Sequence, residues 1–183
     1  MIILGIDPGY AIVGFGVIEK DNRGKCTVVD YGVIETPKEE SFPVRLAIIG
    51  DGIKSLIAKY KPDAVAIEEL FFNQNITTGI AVAEARGVII YTAIQEVSDI
   101  YEYTPLEIKQ AITGNGRAEK KQVQYMTVAI LGLKSTPKPD DAADALAVAL
   151  CHSQTNQNLL KSKVDTFRDG NWNNTKYKPN FRR

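Results

Sequence analysis

The chain has few of the residues on which many catalytic and metal sites depend. It contains one histidine, two cysteines and one tryptophan among 183 residues. Cys26 and Cys151 lie far apart and match no metal-binding spacing, so the sequence predicts two reduced thiols in a cytosolic protein. With His152 as the single histidine, no Ser–His or Cys–His set for nucleophilic catalysis is visible. We expect His152 to be structural, although a histidine near a metal site could also move protons.

Long hydrophobic runs are also absent. No apolar run reaches the roughly 18 residues expected of a transmembrane helix. The opening segment MIILGIDPG has neither the basic start nor the small-residue cleavage site of a signal peptide. Hydrophobic residues make up 44% of the chain and charged residues 24%, which is ordinary for a soluble globular protein. The sequence therefore predicts a cytoplasmic protein that does not act in a membrane.

The chain has no net charge, but its charge is unevenly distributed. Residues 151–183 carry 7 Lys+Arg and 2 Asp+Glu, whereas residues 1–150 carry 15 and 20. Bulk charge thus argues neither for nor against nucleic acid, and any nucleic-acid surface must be a local patch. From about residue 157 the composition turns to Asn, Lys, Arg and Thr with few aliphatics. We expect one folded domain over residues 1–156 and a basic, flexible tail over 157–183.

Hydrophobic periodicity predicts an α/β fold. Strands are expected at five segments, 2–7, 13–19, 25–35, 64–69 and 99–104, with a hairpin turn at DNRG before the third. Helices are expected over 42–60, 76–97, a short stretch opened by Pro105, 118–131 and a last segment that begins DDAADALAVAL. An initial meander followed by alternating elements implies a mixed five-stranded sheet flanked by helices. In the 118–131 helix, Val123, Met126 and Ile130 are expected to share the buried face.

Four acidic residues stand where the chain is expected to enter or leave regular structure: Asp7, Glu68, Asp141 and Asp144. A carboxylate beside apolar residues costs free energy unless it is paired, hydrogen-bonded or bound to a cation. No Lys or Arg lies close to Asp7 or Glu68 in the sequence. We therefore expect the four acids to bind divalent metal, two ions about 4 Å apart, for phosphoryl chemistry. Carboxylate-only ligation fits Mg²⁺ or Mn²⁺ and disfavours zinc.

The two strand-end acids have plainer alternatives. Asp7, followed by Pro-Gly, could simply cap a turn. Glu69 competes with Glu68, because a shift of one residue reverses the face of a strand. We prefer Glu68 because it directly follows the buried run AVAI, and we expect Glu69 to face away or to orient a neighbouring group. Gly14 and Gly16, on the next strand, are expected to leave open backbone beside the site.

The helix acids are open to a second interpretation as well. Asp141 and Asp144 are three residues apart and would share one helix face, close enough to share a cation. Asp140 and Asp144, four apart, would also fit, although Asp140 could instead be the N-cap after Pro139. An exposed acidic first turn, which the helix dipole favours, is the plain alternative. The small residues around these acids weaken it, since they let the start of the helix press close to the sheet.

Basic and aromatic residues near these acids could contact nucleic acid. The basic residues are Lys109, Arg117, Lys120 and Lys121, the last three beside the glycine loop GNG at a helix start. Backbone amides of a glycine loop and a helix N-terminus favour phosphate, and lysines strengthen that preference. A solvated charged helix face is the alternative. Phe71 and Phe72 follow the Glu68 strand and could stack on unpaired bases, or they could pack in the core.

Six strings in order resemble the RuvC family of bacterial Holliday-junction resolvases, within the ribonuclease H-like superfamily. They are LGIDPG at 4–9, AIEELFF at 66–72, EARGV at 84–88, EIKQAITG at 107–114, AEKKQVQ at 118–124 and DAADALAVA at 141–149. The first string alone is a weak signal, whereas the ordered set is highly specific. The resemblance implies a ribonuclease H-like fold and Mg²⁺-dependent, symmetric nicking of four-way DNA junctions in recombination and repair.

The resemblance also implies roles for individual residues. It places the metal-binding acids on Asp7, Glu68, Asp141 and Asp144, and so favours Asp141 over Asp140. It places DNA-contacting lysines on Lys109 and Lys120 and a base-stacking aromatic on Phe71. It implies a homodimer that packs through a helix within residues 76–96, and a partner in the branch-migration motor formed by RuvA and RuvB. The tail beyond about 157 matches no family motif.

Two other functions compete with a junction nuclease. Sugar kinases and actin-like ATPases also begin with an apolar strand and D-x-G, but they need two related lobes, and no second D-x-G repeat is visible here. A junction-binding protein without catalysis is the other alternative, and the full set of acids argues against it. A cleavage assay on a four-way junction with Mg²⁺ and then with EDTA would distinguish them.

Overall fold

The computed structural model describes residues 1–70, 76–97 and 99–155. Its five strands are β1 (Ile2–Asp7), β2 (Ile12–Lys20), β3 (Cys26–Glu35), β4 (Ala64–Glu68) and β5 (Ile100–Tyr103). Its five helices are α1 (Phe42–Tyr60), α2 (Ile76–Glu96), α3 (Pro105–Thr113), α4 (Lys120–Leu131) and α5 (Asp140–Gln154). Phe71, Phe72 and the 157–183 tail lie outside the described residues.

The strands form one mixed sheet in the order β3-β2-β1-β4-β5. The first three strands are antiparallel neighbours, whereas β4 runs parallel to β1 and β5 parallel to β4. The β2–β3 turn is built as its residues suggest, because the Asp21 carboxylate accepts hydrogen bonds from the backbone of Arg23 and Lys25, and Gly24 has φ of 85°. The predicted five-stranded α/β fold is confirmed.

Side-chain alternation along β1 assigns the two faces of the sheet. Leu4 and Ile6 point to the face covered by α1 and α2, where they join an aliphatic core with residues such as Ile53. Ile3 points to the opposite face, which is covered by α3, α4 and α5. By the same alternation Asp7 belongs to the α5 face, so the last residue of β1 is directed toward the start of that helix.

Helix α5 lies directly on the sheet because glycines remove the side chains beneath it. A Cβ built on Gly5 would lie 2.2 Å from the Ala145 carbonyl oxygen, and one on Gly14 would lie 2.1 Å from the Asp141 carbonyl oxygen. Such distances are far below van der Waals contact, so only glycine fits. The prediction of open backbone at Gly14 and Gly16 was therefore wrong, because the space over these glycines is filled by the backbone of α5.

Three local predictions differ from the structure. Helix α4 begins at Lys120, after an N-cap at Glu119, rather than at residue 118. The N-cap of α5 is Pro139, so Asp140 is the first helical residue and not the cap. The buried face of α4 carries Val123, Gln124 and Thr127, while Ile130 is 40% exposed.

None of the helices in the described ranges is long and apolar enough to cross a membrane.

Candidate active site

The ends of two parallel strands place the first two acids side by side. Ile6 pairs with Ile67 in the β1–β4 register, so Asp7 and Glu68 follow one residue later on adjacent strands. Both isoleucines belong to the core under α1 and α2. The two carboxylates therefore lie on the opposite face, toward α5. The next residue along, Glu69, has left β4 and donates its backbone N–H to the Tyr103 carbonyl at 2.8 Å.

The close approach of α5 brings the other two acids to this edge of the sheet. Asp7 is the register partner of Gly14, and the Asp141 backbone packs on that glycine. Asp144 lies three residues further along α5 and lines the same pocket as Asp7 and Glu68. Asp141 does not line that pocket, but its charge acts on Asp7. The structure thus brings three of the predicted acids into one pocket and the fourth beside it.

This pocket is large enough to admit part of a nucleotide. Its volume is about 350 Å³, and it opens between the sheet edge and helices α3, α4 and α5. Besides the three acids it is lined by Pro105, Ile108, Lys109, Lys120, Val123 and Ala147. Carboxylates thus occupy one part of the wall and ammonium groups another, while apolar side chains complete it. Such a wall can accept a divalent cation and a phosphate together.

Two acids of the pocket, Asp7 and Glu68, have pKa values above those of ordinary carboxyl groups. Burial, with the charges of Glu68, Asp144 and Asp141, raises the pKa of Asp7 to about 8. Burial and the charge of Asp144 raise the pKa of Glu68 to about 7. Neighbouring carboxylates disfavour each other's charged form, and a low-polarity environment disfavours it further. A cation in the pocket would relieve both effects.

Two lysines partly supply that positive charge. Lys120 Nζ lies 2.6 Å from Asp144 Oδ2, in an ion pair whose lysine side chain is 61% exposed. Its charge offsets part of the rise in the pKa of both Asp7 and Glu68, and the charge of Lys109 offsets part of the rise for Glu68. In return, the bond to Asp144 raises the pKa of Lys120. Lys109 and Lys120 thus face the acids from α3 and from α4.

The donor set of the pocket fits a hard divalent cation. Its ligands are carboxylate oxygens, which Mg²⁺ and Mn²⁺ prefer. Burial together with neighbouring carboxylates raises the pKa of Asp7 and of Glu68, and a bound cation would favour the charged forms of both. Within the described parts of the chain, no three acid, histidine or cysteine side chains already converge closely enough to hold an ion. Binding would thus require side-chain rotation, including release of Asp144 by Lys120.

The other residues that were predicted to contact DNA do not line the acid pocket in the described structure. Lys121 faces a second pocket, between α3 and α4, whose wall includes Asn115 and Tyr125. Arg117 is exposed in the turn between those helices, with its backbone N–H on the Asn115 side chain. Phe71 lies outside the described residues. The structure therefore gathers Lys109 and Lys120 at the acids, and it separates Lys121 and Arg117 from them.

Sequence reasoning missed Gln124 and left His152 open. Gln124 is 8% exposed, and its side chain reaches Asp144. Its place one turn after Lys120 could have indicated it, since residues four apart share a helix face. His152 is 2% exposed and bonded through Nδ1 to the Tyr103 hydroxyl at 2.8 Å, away from the acid pocket. Its environment is that of a residue packed in the core.

The chain is similar to known proteins of one family in its family model, its sequence and its structure. The family model described as crossover junction endodeoxyribonuclease RuvC matches residues 3–152. A crossover junction endodeoxyribonuclease RuvC of Alkaliphilus metalliredigens is 54% identical over 165 residues, covering 89% of this chain and all of the relative. Its counterpart in Clostridioides difficile is 51% identical over 157 residues, covering 86% of this chain and 92% of the relative.

A solved structure agrees with these sequence matches. The Thermus thermophilus RuvC, determined in complex with a Holliday junction substrate, superposes with a TM-score of 0.78 at 35% sequence identity. The match covers 84% of this chain and 93% of that one. The structural match therefore covers most of both chains, and the family model spans residues 3–152, which include the four acids.

Proposed function

The chain belongs to the RuvC family of crossover junction endodeoxyribonucleases, and from that premise we propose that it resolves Holliday junctions by paired, symmetric nicks during recombination and repair. The observation that carries the proposal is the pocket that joins Asp7, Glu68 and Asp144 to Lys109 and Lys120. Family membership excludes the alternative of a sugar kinase or actin-like ATPase, whose two lobes this single sheet does not provide.

Members of the family are metal-dependent nucleases, and the acids are suited to hold the metal here. We assign Asp7, Glu68, Asp141 and Asp144 as ligands for two Mg²⁺ ions, with Mn²⁺ as a substitute. Bound divalent ions supply charge neutralisation at the phosphate and an activated water. The raised pKa values of Asp7 and Glu68 support the assignment, because metal binding at these carboxylates would be coupled to loss of their protons.

The basic residues would position the DNA strand. Lys120 and Lys109 line the acid pocket, so their ammonium groups can bind the phosphates on either side of the cut. Lys121 and Arg117, on the outer side of α4 and in the turn before it, would contact the adjoining duplex arm. Phe71, which follows the Glu68 strand in sequence, would stack on an unpaired base near the junction centre.

Paired cuts require two active sites, so we propose a homodimer that forms through α2. On the outer side of this helix Ile80 is 54% exposed and Tyr91 is 58% exposed. A Cβ built on Gly87, between them, would meet nothing within 4 Å in the described structure. Large apolar side chains flanking a glycine suit close packing against a second copy. The branch-migration proteins RuvA and RuvB are the further partners we propose.

The proposed function is tested by separating cutting from binding. Asp7→Asn and Glu68→Gln should each bind a labelled four-way junction as wild type does and reduce cleavage in Mg²⁺ at least about a thousandfold. The carboxamides keep the shape of the side chains and remove the charge that holds the metal. Cleavage is measured in single-turnover gels with mapped incision sites, and binding is measured by gel shift in Ca²⁺.

Glu69→Gln is the matched control, because it makes the same chemical change one residue later. Cleavage by Glu69→Gln should stay within a few fold of wild type, since Glu69 lies outside the acid pocket. If Glu68→Gln still cut at the wild-type rate, Glu68 would be removed from the metal site. If the wild-type protein bound junctions but did not nick them in Mg²⁺ or Mn²⁺, the protein would be a binding module and the nuclease proposal would fail.

A further inference from the structure

Helix α4 buries the side chain of a glutamine, a residue type that is mostly exposed. Gln124 is 8% exposed and faces α5 instead of solvent. A buried amide without hydrogen-bond partners costs free energy, so its contacts need a physical reason. Thr127, the next buried polar residue on α4, satisfies its hydroxyl within the helix by donating to the Val123 carbonyl at 2.8 Å. Gln124, by contrast, reaches across to another helix.

The hydrogen-bond partner of Gln124 is acidic. Its Nε2 donates to Asp144 Oδ1 at 3.4 Å. The pKa of Asp140, one turn earlier on α5, is lowered first by Lys138 and to a lesser degree by Gln124. The carboxylate of Asp144 fixes the orientation of the amide, because a flipped amide would turn its oxygen toward negative charge.

Asp144 is thus held by two side chains of α4, one on each oxygen. Lys120, one turn before Gln124, pairs with Oδ2 at 2.6 Å. The two contacts differ in character, since the Lys120 side chain is 61% exposed and Gln124 is buried. An exposed ammonium can exchange one anion for another at little cost. A buried amide that is packed between two helices has less freedom to move away.

We propose that Gln124 is a positioning residue that holds the Asp144 carboxylate toward the pocket, so that Lys120 can leave it for a DNA phosphate without letting it turn away. The inference rests on the proposed function. A neutral donor suits this role, because a second lysine or arginine would compete with the metal for the charge of Asp144. Partners that orient metal ligands in this way generally contribute tenfold or more to metal affinity.

The test measures metal binding without relying on turnover. Gln124→Met keeps the length of the side chain and removes its hydrogen bonds, while Gln124→Asn keeps the amide but draws it back by one methylene. Affinity for Mn²⁺ is measured by calorimetry on the full chain without DNA. Both variants should bind Mn²⁺ about tenfold more weakly than wild type, and both should lose kcat on junctions while their KM stays unchanged. If one variant fails to fold, the other serves alone.

Thr127→Val is the matched control, since it also removes a buried polar group from α4. It should lower the melting temperature in EDTA without changing Mn²⁺ affinity. If Gln124→Met and Gln124→Asn behave like Thr127→Val, with wild-type Mn²⁺ affinity, Gln124 is structural and the inference is overturned while the proposed function stands. If the wild-type chain itself binds no Mn²⁺, the metal site and this inference fail together.

Discussion

The two faces of the sheet are packed in opposite ways. The face under α1 and α2 is filled by large aliphatic side chains, among them Leu4, Ile6 and Ile53, all fully buried. The face under α5 has glycine at its centre, and Gly5 pairs with Gly16 across β1 and β2. There the sheet meets the backbone of a helix that is rich in alanine. One face is therefore filled by large apolar side chains, whereas on the other face the backbone of α5 lies in direct contact with the backbone of the sheet.

This difference suggests that one face mainly stabilises the fold, whereas the other mainly positions the acidic side chains. Burial of aliphatic side chains stabilises a fold but tolerates small changes, because neighbouring side chains can shift. Contact between backbones has no such freedom, since main-chain atoms cannot change rotamer. Asp141 and Asp144 are carried by the helix on the rigid face, and Asp7 ends a strand of the same face. The acids are thus located by contacts that leave little room for adjustment.

Most of the buried polar groups in the described residues lie on the α5 side. Gln124, Thr127, His152 and Ser153 belong to α4 and α5. On the other side, Arg45 of α1 is buried and donates to the Thr36 hydroxyl at 2.8 Å. A polar group in the interior must keep its hydrogen bonds, and an ionisable one links stability to pH. We therefore expect both catalytic geometry and pH dependence to depend on the α5 side.

Among the changes that compare the two faces, the largest effect is expected from Gly14→Ala. The added Cβ would lie 2.1 Å from the Asp141 carbonyl oxygen, so α5 must move away from the sheet. We expect a loss of about 3 kcal/mol in the free energy of unfolding. We expect junction cleavage to fall by about a hundredfold, because a shift of about 1 Å in a catalytic group has that effect. Urea unfolding and single-turnover cleavage measure the two losses. A variant that retained wild-type cleavage would show that the contact at Gly14 does not position the acids.

Leu4→Ala tests the opposite face. Leu4 is fully buried in the aliphatic core, so its truncation should cost about 3 kcal/mol of unfolding free energy. Cleavage by the folded fraction should remain within about twofold of wild type, since the cavity lies across the sheet from the acids. The assay is run at low temperature, where unfolding does not interfere. A loss of cleavage as large as that of Gly14→Ala would remove the distinction between the faces.

His152 should make stability fall in mild acid. Burial, with the charge of Lys20, lowers the pKa of His152 from 6.5 to about 4. Between these values the unfolded chain takes up a proton that the folded chain refuses, so the contribution of His152 is full above pH 6.5 and is lost as pH falls toward 4. From pH 7 to pH 4.5, wild type should lose about 2 kcal/mol more than His152→Gln. Both proteins are unfolded in urea with EDTA. Equal pH dependence would contradict the prediction.

The smallest effect is expected from Gly50→Ala, which makes the same substitution as Gly14→Ala on the other side of the sheet. A Cβ on Gly50 would lie 3.3 Å from Val88 Cγ1, a side-chain atom that can shift. Alanine is favoured over glycine within a helix by roughly 1 kcal/mol, which offsets the tight contact. Stability should change by less than about 1 kcal/mol, with wild-type cleavage. A loss comparable to that of Gly14→Ala would show that both faces are equally rigid.

Much of the fold follows from local sequence patterns. The continuous apolar runs of β1 and β4 and the periodicity of α1 each predict their element to within a residue or two. The order of these elements was enough to predict the mixed sheet. Glu68, which we preferred to Glu69 because it directly follows the buried run, lines the acid pocket. These signals are local, because each depends on neighbours within one element.

The contacts between elements could not be derived in this way. Gly14 looks like open backbone in the sequence, and only the packing of α5 shows that Asp141 fills its space. The buried position of Gln124 depends on α5 too, since an amide on a helix is ordinarily solvent-facing. The pairing of Lys120 with Asp144 joins residues 24 positions apart on two helices. Each of these features is set by how one helix lies on another element.

The glycine contacts under α5 have a consequence for protein engineering. Because Gly5, Gly14 and Gly16 meet main-chain atoms, the distance between helix and sheet is set by atomic radii and not by the choice of side chains. The β1–β2 hairpin and α5 would therefore have to be exchanged together. A chimaera that exchanges only one of the two would inherit its acids but not their spacing.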